Sequence, residues 1–122
     1  MVKNLNKIIF VDDDKIQHMI NKKNMLRVKP DLELIFFADP FLALDWLESN
    51  SADLLLLDIN MPEMSGWEFL ELLAAKNIEI NVNMLSSSMD PDDFQKSNEF
   101  TSVSGFLIKP LQLDVIERLL NP

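Results

Sequence analysis

The residues able to do chemistry in this 122-residue chain stand just after short apolar runs. Asp12, Asp13 and Asp14 follow Lys7–Val11 (KIIFV), and Asp58 follows Leu54–Leu57 (LLLL). Ser86, Ser87 and Ser88 follow Val82–Leu85 (VNML), and Lys109-Pro110 follows Phe106–Ile108. Taken singly, an aspartate after a strand is ordinarily a helix cap or turn residue, a serine triplet is loop, and Lys-Pro is surface. Their recurrence at four strand ends is what points to a site. Carboxylates crowded together repel and raise one another's pKa. A hard divalent cation, held by a few protein oxygens and completed by water, relieves that repulsion, and this is the Mg²⁺ pattern. Lysine supplies a point charge for phosphate oxygens, and serine a hydroxyl donor. A carboxylate at the centre can attack phosphorus to give an aspartyl phosphate, with metal and lysine offsetting charge in the transition state.

Five strands and five helices must position these groups. Lys7–Val11 is short and β-branched, and reads as a strand. Lys15–Lys29 follows as a helix, with Ile16, Met19, Ile20 and Leu26 at helical spacing as its apolar residues. Leu32–Ala38 is a second strand candidate. Asp39-Pro40 reads as a cap and first helical residue, opening a helix to about Ser49. Leu54–Leu57 is apolar at every position, which suits a strand covered on both faces. Gly66 onward reads as a helix through Trp67, Phe69, Leu70 and Leu73. Val82–Leu85 is a fourth strand, and Asp90-Pro91 with Asp92 and Asp93 opens a fourth helix. Phe106–Ile108 is a fifth strand, and Leu111–Leu120 a closing helix. Alternation of this kind implies a parallel sheet with helices on both faces and right-handed crossovers. Ligands of such sheets sit beyond the carboxyl ends of the strands.

Composition excludes several classes. The chain has no cysteine, one histidine (His18) and two glycines (Gly66 and Gly105). A disulfide framework, a thiol nucleophile, a histidine-rich zinc site and a glycine-rich phosphate loop are therefore excluded. No apolar run approaches a membrane span, and no signal-peptide pattern opens the chain, so a soluble, cytoplasmic protein without membrane contact is expected. The net charge of −9 argues against direct binding to nucleic acid. The charge is also lopsided. Residues 1–29 hold seven Lys/Arg against three Asp, and residues 30–122 hold four against seventeen Asp/Glu. No repeat, linker or low-complexity tract interrupts the sequence, so one domain over 1–122, with a core of about 7–120 and no output domain, is expected.

Four motifs resemble the receiver domain of two-component response regulators, of the chemotaxis (CheY-like) type. They are FVDDD at 10–14, LLLLDINMPEMSGWEFL at 54–70, NMLSSS at 83–88 and SGFLIKP at 104–110. The second is the most specific, with Asp58, Asn60, Met61-Pro62 and Gly66 in the family's register. The resemblance covers nearly the whole chain. It implies a flavodoxin-like (βα)5 fold of class α/β, a doubly wound five-stranded parallel sheet in the order 2-1-3-4-5.

The resemblance further implies a non-enzymatic phosphoacceptor that catalyses only its own phosphorylation and dephosphorylation. Asp58 would be the phosphoacceptor. Asp12, Asp13, Asp58 and the backbone carbonyl of Asn60 would hold Mg²⁺. Lys109 would bind the phosphoryl group, and Ser86 and Phe106 would take the switch positions. A cis Lys109–Pro110 bond is implied too. The expected partners are a histidine kinase or histidine phosphotransfer protein and an unidentified downstream protein, with the chain a monomer or weak dimer. Phe106 stands where tyrosine is frequent in the family, so coupling to Ser86 is expected to be steric. Asp14 is expected to start the first helix, and His18 to lie on that helix's surface. Lys15, Lys22, Lys23 and Arg27 could steer an acidic donor or be a solvated face. Two alternatives stay open. One is a phosphatase resembling the haloacid-dehalogenase type, with Asp12 as nucleophile and Asp14 as acid/base. The other is a receiver fold that no longer uses phosphate.

Overall fold

The computed structural model describes residues 5–87 and 90–121. Five strands alternate with five helices: β1 (Lys7–Val11), α1 (Lys15–Val28), β2 (Glu33–Phe37), α2 (Pro40–Ser49), β3 (Leu54–Asp58), α3 (Gly66–Ala75), β4 (Val82–Ser86), α4 (Pro91–Ser97), β5 (Val103–Ile108) and α5 (Leu113–Leu120). All pairings are parallel, and the sheet order is β2-β1-β3-β4-β5. This is the expected flavodoxin-like architecture. β3 sits at the centre, and all five of its residues are buried, as a strand apolar at every position requires.

Alternation along each strand divides the core into two layers. Ile9, Val11, Leu55, Leu57 and Met84 pack with Leu44 and Leu47 of α2 and Phe69, Leu70 and Leu73 of α3. Ile8, Phe10, Leu54, Leu56 and Leu85 pack on the opposite face with Met25 of α1 and Ile116 and Leu120 of α5. Helix starts are fixed by local chemistry. Asp14, Asp39 and Asp90 cap α1, α2 and α4, each accepting from backbone N–H groups of the first turn, and Ser65 with Glu68 forms a capping box on α3.

Three element readings change. β5 begins at Val103, three residues before the expected Phe106. Ser104 and Gly105 are weak strand formers, but Gly105 pairs with Asn83 of β4, and the register shift between Val82 and Asn83 passes over Ser104. α5 begins at Leu113, because Leu111 is buried within the preceding loop. α1 is turned the other way from its apolar spacing: Ile16, Met19 and Ile20 are 68%, 73% and 37% exposed, while Asn21 and Met25 face the core. Spacing identifies a helical stripe but not the side the sheet and α5 cover.

Candidate functional site

Register brings the chemistry-bearing residues to one edge. Val11 pairs with Phe37 and Leu57, Asp58 with Leu85, and Ser86 with Ile108, so all five strands end close to one level. Asp12 follows β1 directly, and its backbone N–H donates to the Phe37 carbonyl at 3.1 Å. The Asp12 side chain is fully buried and Asp58 nearly so, whereas Asp13 is exposed. One carboxylate oxygen from each of Asp12, Asp13 and Asp58 lies within 4.8 Å of the others.

Lys109 reaches into this cluster from the end of β5. Its Nζ is 3.1 Å from Asp12 Oδ2 and 3.3 Å from Asp58 Oδ1. Its backbone N–H donates to the Ser86 carbonyl at 2.7 Å, which ties the lysine to the end of β4. The Lys109–Pro110 bond is cis, as the resemblance implies. Asp14 caps α1 through Ile16 N at 3.0 Å and Gln17 N at 3.3 Å, and its own N–H donates to Asp12 Oδ1 at 2.9 Å. It thus shapes the loop that carries Asp12 and Asp13.

The electrostatics mark Asp58 out. Burial, reinforced by the charge of Asp12, raises its pKa to about 7, against the opposing pull of Lys109 and a backbone hydrogen bond from Asn60. Burial draws the Lys109 ammonium down, but the hydrogen bond and charge of Asp12, then of Asp58, outweigh it and leave its pKa raised. The pocket is thus an ammonium shared between two shielded carboxylates, with a third carboxylate at the mouth.

Asp12, Asp13, Asp58, Asn60, Ser86 and Lys109 lie at this edge, with Phe106 on β5 beside it, and Ser88 lies outside the described residues. Ser86 is buried at the end of β4. Phe106 is half-buried on β5, its ring edge-on to Phe94 of α4 at a centroid distance of 5.8 Å. Asn60 is exposed in the β3–α3 loop. His18, expected on the helix surface, is half-buried. Its ring lies 5.1 Å from that of Phe36, and its Nε2 is shielded without a hydrogen-bond partner. Burial lowers its pKa, opposed first by the charge of Asp12.

Two features escaped the sequence reading. Gly66 opens α3 against the backbone at the end of β3, where an added Cβ would stand 2.6 Å from the Asp58 carbonyl. Asn83, buried on β4, occupies the space that a side chain at Gly105 would need. A lone Asn in an apolar strand, with a Gly in the next strand along the chain, was the available signal.

The sequence pattern of the response regulator receiver domain matches residues 8–121. The chain belongs to this family. Its fold is that of CheY-like response regulators. The receiver is 33% identical over 107 residues to the cyclic di-GMP phosphodiesterase response regulator RpfG of Xanthomonas campestris pv. campestris, covering 86% of this chain and 28% of that protein. It spans less than half the length of the curated relatives it matches. Among solved structures, a two component response regulator from Cytophaga hutchinsonii superposes with a TM-score of 0.85 at 25% identity, covering 98% of this chain and 96% of the other. The chemotaxis response regulator CheY4 of Vibrio cholerae superposes with a TM-score of 0.76 at 25% identity, covering 96% and 97%.

The family signals by phosphorylation, interacts with histidine kinases or phosphotransfer proteins and with downstream targets, and binds Mg²⁺ at an acidic pocket. The receiver described here fits such an ion: the donors within reach of one another are three carboxylates, all hard oxygen ligands, and two of them are shielded from water. No helix among the described residues is long and apolar enough to cross a membrane.

Proposed function

We propose that Asp58 accepts a phosphoryl group from a phosphohistidine of a histidine kinase or phosphotransfer protein, and that the receiver thereby switches a protein-binding face. The observation that carries this reading is the position of Asp58. It is buried at the end of the central strand, 3.3 Å from Lys109 Nζ and in reach of two further carboxylates. An Asp58 oxygen attacks phosphorus, the bond between phosphorus and the donor's imidazole nitrogen breaks, and that nitrogen keeps the electron pair. Lys109 stays within reach of the transferred oxygens and offsets their charge. Asp12, Asp13, Asp58 and the Asn60 carbonyl would hold Mg²⁺, which supplies neutralisation of the carboxylate and phosphoryl charge when bound.

Phosphorylation adds a charge near −2. Ser86 donates its hydroxyl to the new oxygens, and Lys109 exchanges its hold on Asp12 for one on the phosphoryl group. Because Lys109 is bonded through its backbone to Ser86, both respond together. Phe106 follows sterically, since it has no hydroxyl to bond Ser86. Its edge contact with Phe94 carries the displacement to α4, so the output face is α4, β5 and α5. The exposed cations of α1 steer an acidic donor toward the pocket.

The test is incubation with Mg²⁺ and a small acyl phosphate, read by intact mass. One added phosphoryl group is expected on the wild type and none on Asp58→Ala. An unchanged wild-type mass, or equal labelling of the variant, overturns the assignment.

A further inference from the structure

Asp12 is held at nearly every polar atom. Its Oδ1 accepts from the Asp14 N–H at 2.9 Å, and its Oδ2 accepts from Lys109 Nζ at 3.1 Å. Its backbone N–H donates to the Phe37 carbonyl. What remains is its own carbonyl. β2 stops at Phe37, and no backbone N–H among the described residues donates to the Asp12 carbonyl. An imidazole meets it instead. The His18 ring hydrogen-bonds the Asp12 backbone. Because Nε2 is shielded and has no partner, the donor is Nδ1–H.

The ring is packed into that position. It lies 5.1 Å from the Phe36 ring, and Phe36 stacks at 4.8 Å on Phe10, which is fully buried on β1. The His18 backbone N–H donates to the Asp14 carbonyl at 3.3 Å. His18 therefore grips the acidic loop twice, by main chain at Asp14 and by ring at Asp12. A histidine placed only to face water would keep both ring nitrogens hydrated, and this one leaves Nε2 dry.

We propose that His18 is a positioning residue of the acidic pocket: its Nδ1–H fixes the Asp12 carbonyl, and with it the direction in which the Asp12 carboxylate meets a divalent cation shared with Asp13 and Asp58. The proposal rests on the pocket read above as the phosphoacceptor site and deepens that reading. A cation held by few protein oxygens depends on the aim of each one. Asp12 is fully buried, so water cannot take the place of a misdirected oxygen. Groups that orient a ligand without touching the metal are worth about 10- to 100-fold in affinity. His18 touches neither the cation nor the phosphoryl group. It narrows the conformations open to Asp12, so it bears on how tightly the cation is held and not on which group attacks phosphorus.

The test is a titration of the full chain with Mn²⁺, followed by water-proton relaxation, with Mg²⁺ as competitor. His18→Phe keeps a ring against Phe36 and loses the donor. His18→Asn loses the ring but carries an N–H on the same Cγ that bears Nδ1. His18→Phe should weaken both cations about tenfold, and His18→Asn should stay within about threefold of the wild type. Unchanged affinity in His18→Phe overturns the proposal. Equal weakening in the two variants also overturns it, because ring packing would then be the cause. So does a wild type that binds neither cation.

A measurement on the wild type needs no variant. Long-range nitrogen–proton correlation at about pH 8 should place the ring proton on Nδ1, and a ring protonated on Nε2 overturns the bond to Asp12. Labelling of Asp58 by a small acyl phosphate is read separately. A wild type that binds the cation and is not labelled overturns the phosphoacceptor reading, while the cation titrations still decide the role of His18.

Discussion

Lys109 Nζ lies 3.1 Å from Asp12 Oδ2, closing an ion pair between residues 97 positions apart, and the Asp12 side chain has no exposure to water. The pair stitches the end of β5 to the end of β1 across the site. Removing the lysine leaves Asp12 buried without its counter-charge and facing Asp58. Lys109→Ala should therefore cost about 3 kcal/mol in urea unfolding at neutral pH with a chelator present. Lys109→Met keeps the apolar stem and should lose a similar amount, which separates charge from packing. A loss under about 1 kcal/mol in both would show that the pair does not hold the site together.

The raised pKa of Asp58 gives a pH dependence of defined sign. The folded value is about 7, above the unfolded carboxylate value of 3.8, so the folded state holds a proton that the unfolded state releases. The resulting stabilisation is complete below the unfolded value and is lost as pH rises through about 7. Without divalent metal, Asp58→Asn should leave stability little changed near pH 4 and raise it by roughly 1–3 kcal/mol at pH 8. Adding Mg²⁺ should raise the melting temperature of the wild type and leave Asp58→Asn unmoved. Thermal unfolding of both proteins across pH, with and without the ion, checks the two statements together.

Asn21 is fully buried on α1, and neither atom of its carboxamide has a hydrogen-bond partner. Shielding such atoms costs more than replacing them with carbon of similar shape. Asn21→Leu should stabilise the protein by about 1–2 kcal/mol in chemical denaturation. A destabilised variant would mean that the carboxamide makes bonds that hold α1 in place.

Gly105 lies under the side chain of Asn83, and a Cβ there would collide with the carboxamide. Gly105→Ala should destabilise by about 1–3 kcal/mol. Combined with Asn83→Ala, which removes the obstructing group, the cost should shrink by at least about half. Additive losses in the double variant would show that the glycine is needed for some other reason.

Gly66 differs from Gly105 because the obstacle is backbone. A Cβ would meet the Asp58 carbonyl at 2.6 Å, Met84 Cε at 3.0 Å and the Ile59 Cα at 3.1 Å. Gly66→Ala should cost about 2 kcal/mol or more and, by displacing the strand end that holds Asp58, slow labelling by a small acyl phosphate. Normal labelling in a destabilised variant would confine the glycine to packing.

The sequence by itself determined the order of elements and the buried central strand. Each rests on short-range chemistry: four leucines between Asp53 and Asp58 allow only a strand covered on both faces, and Asp39-Pro40 and Asp90-Pro91 fix helix starts wherever the helix lies. The expectation of five βα units led to the observed parallel sheet because the alternation has few alternative packings. The tertiary structure alone decided what depends on neighbours from distant segments. The spacing of Ile16, Met19 and Ile20 could not say which side the sheet and α5 would cover, and they cover Asn21 and Met25 instead. Gly105 becomes strand only because β4 pairs with it and Asn83 claims the space above it. The raised pKa of Asp58 likewise belongs to no sequence position. It arises because residues 12, 58 and 109 meet in a space that excludes water, where burial and like charge outweigh one shared ammonium.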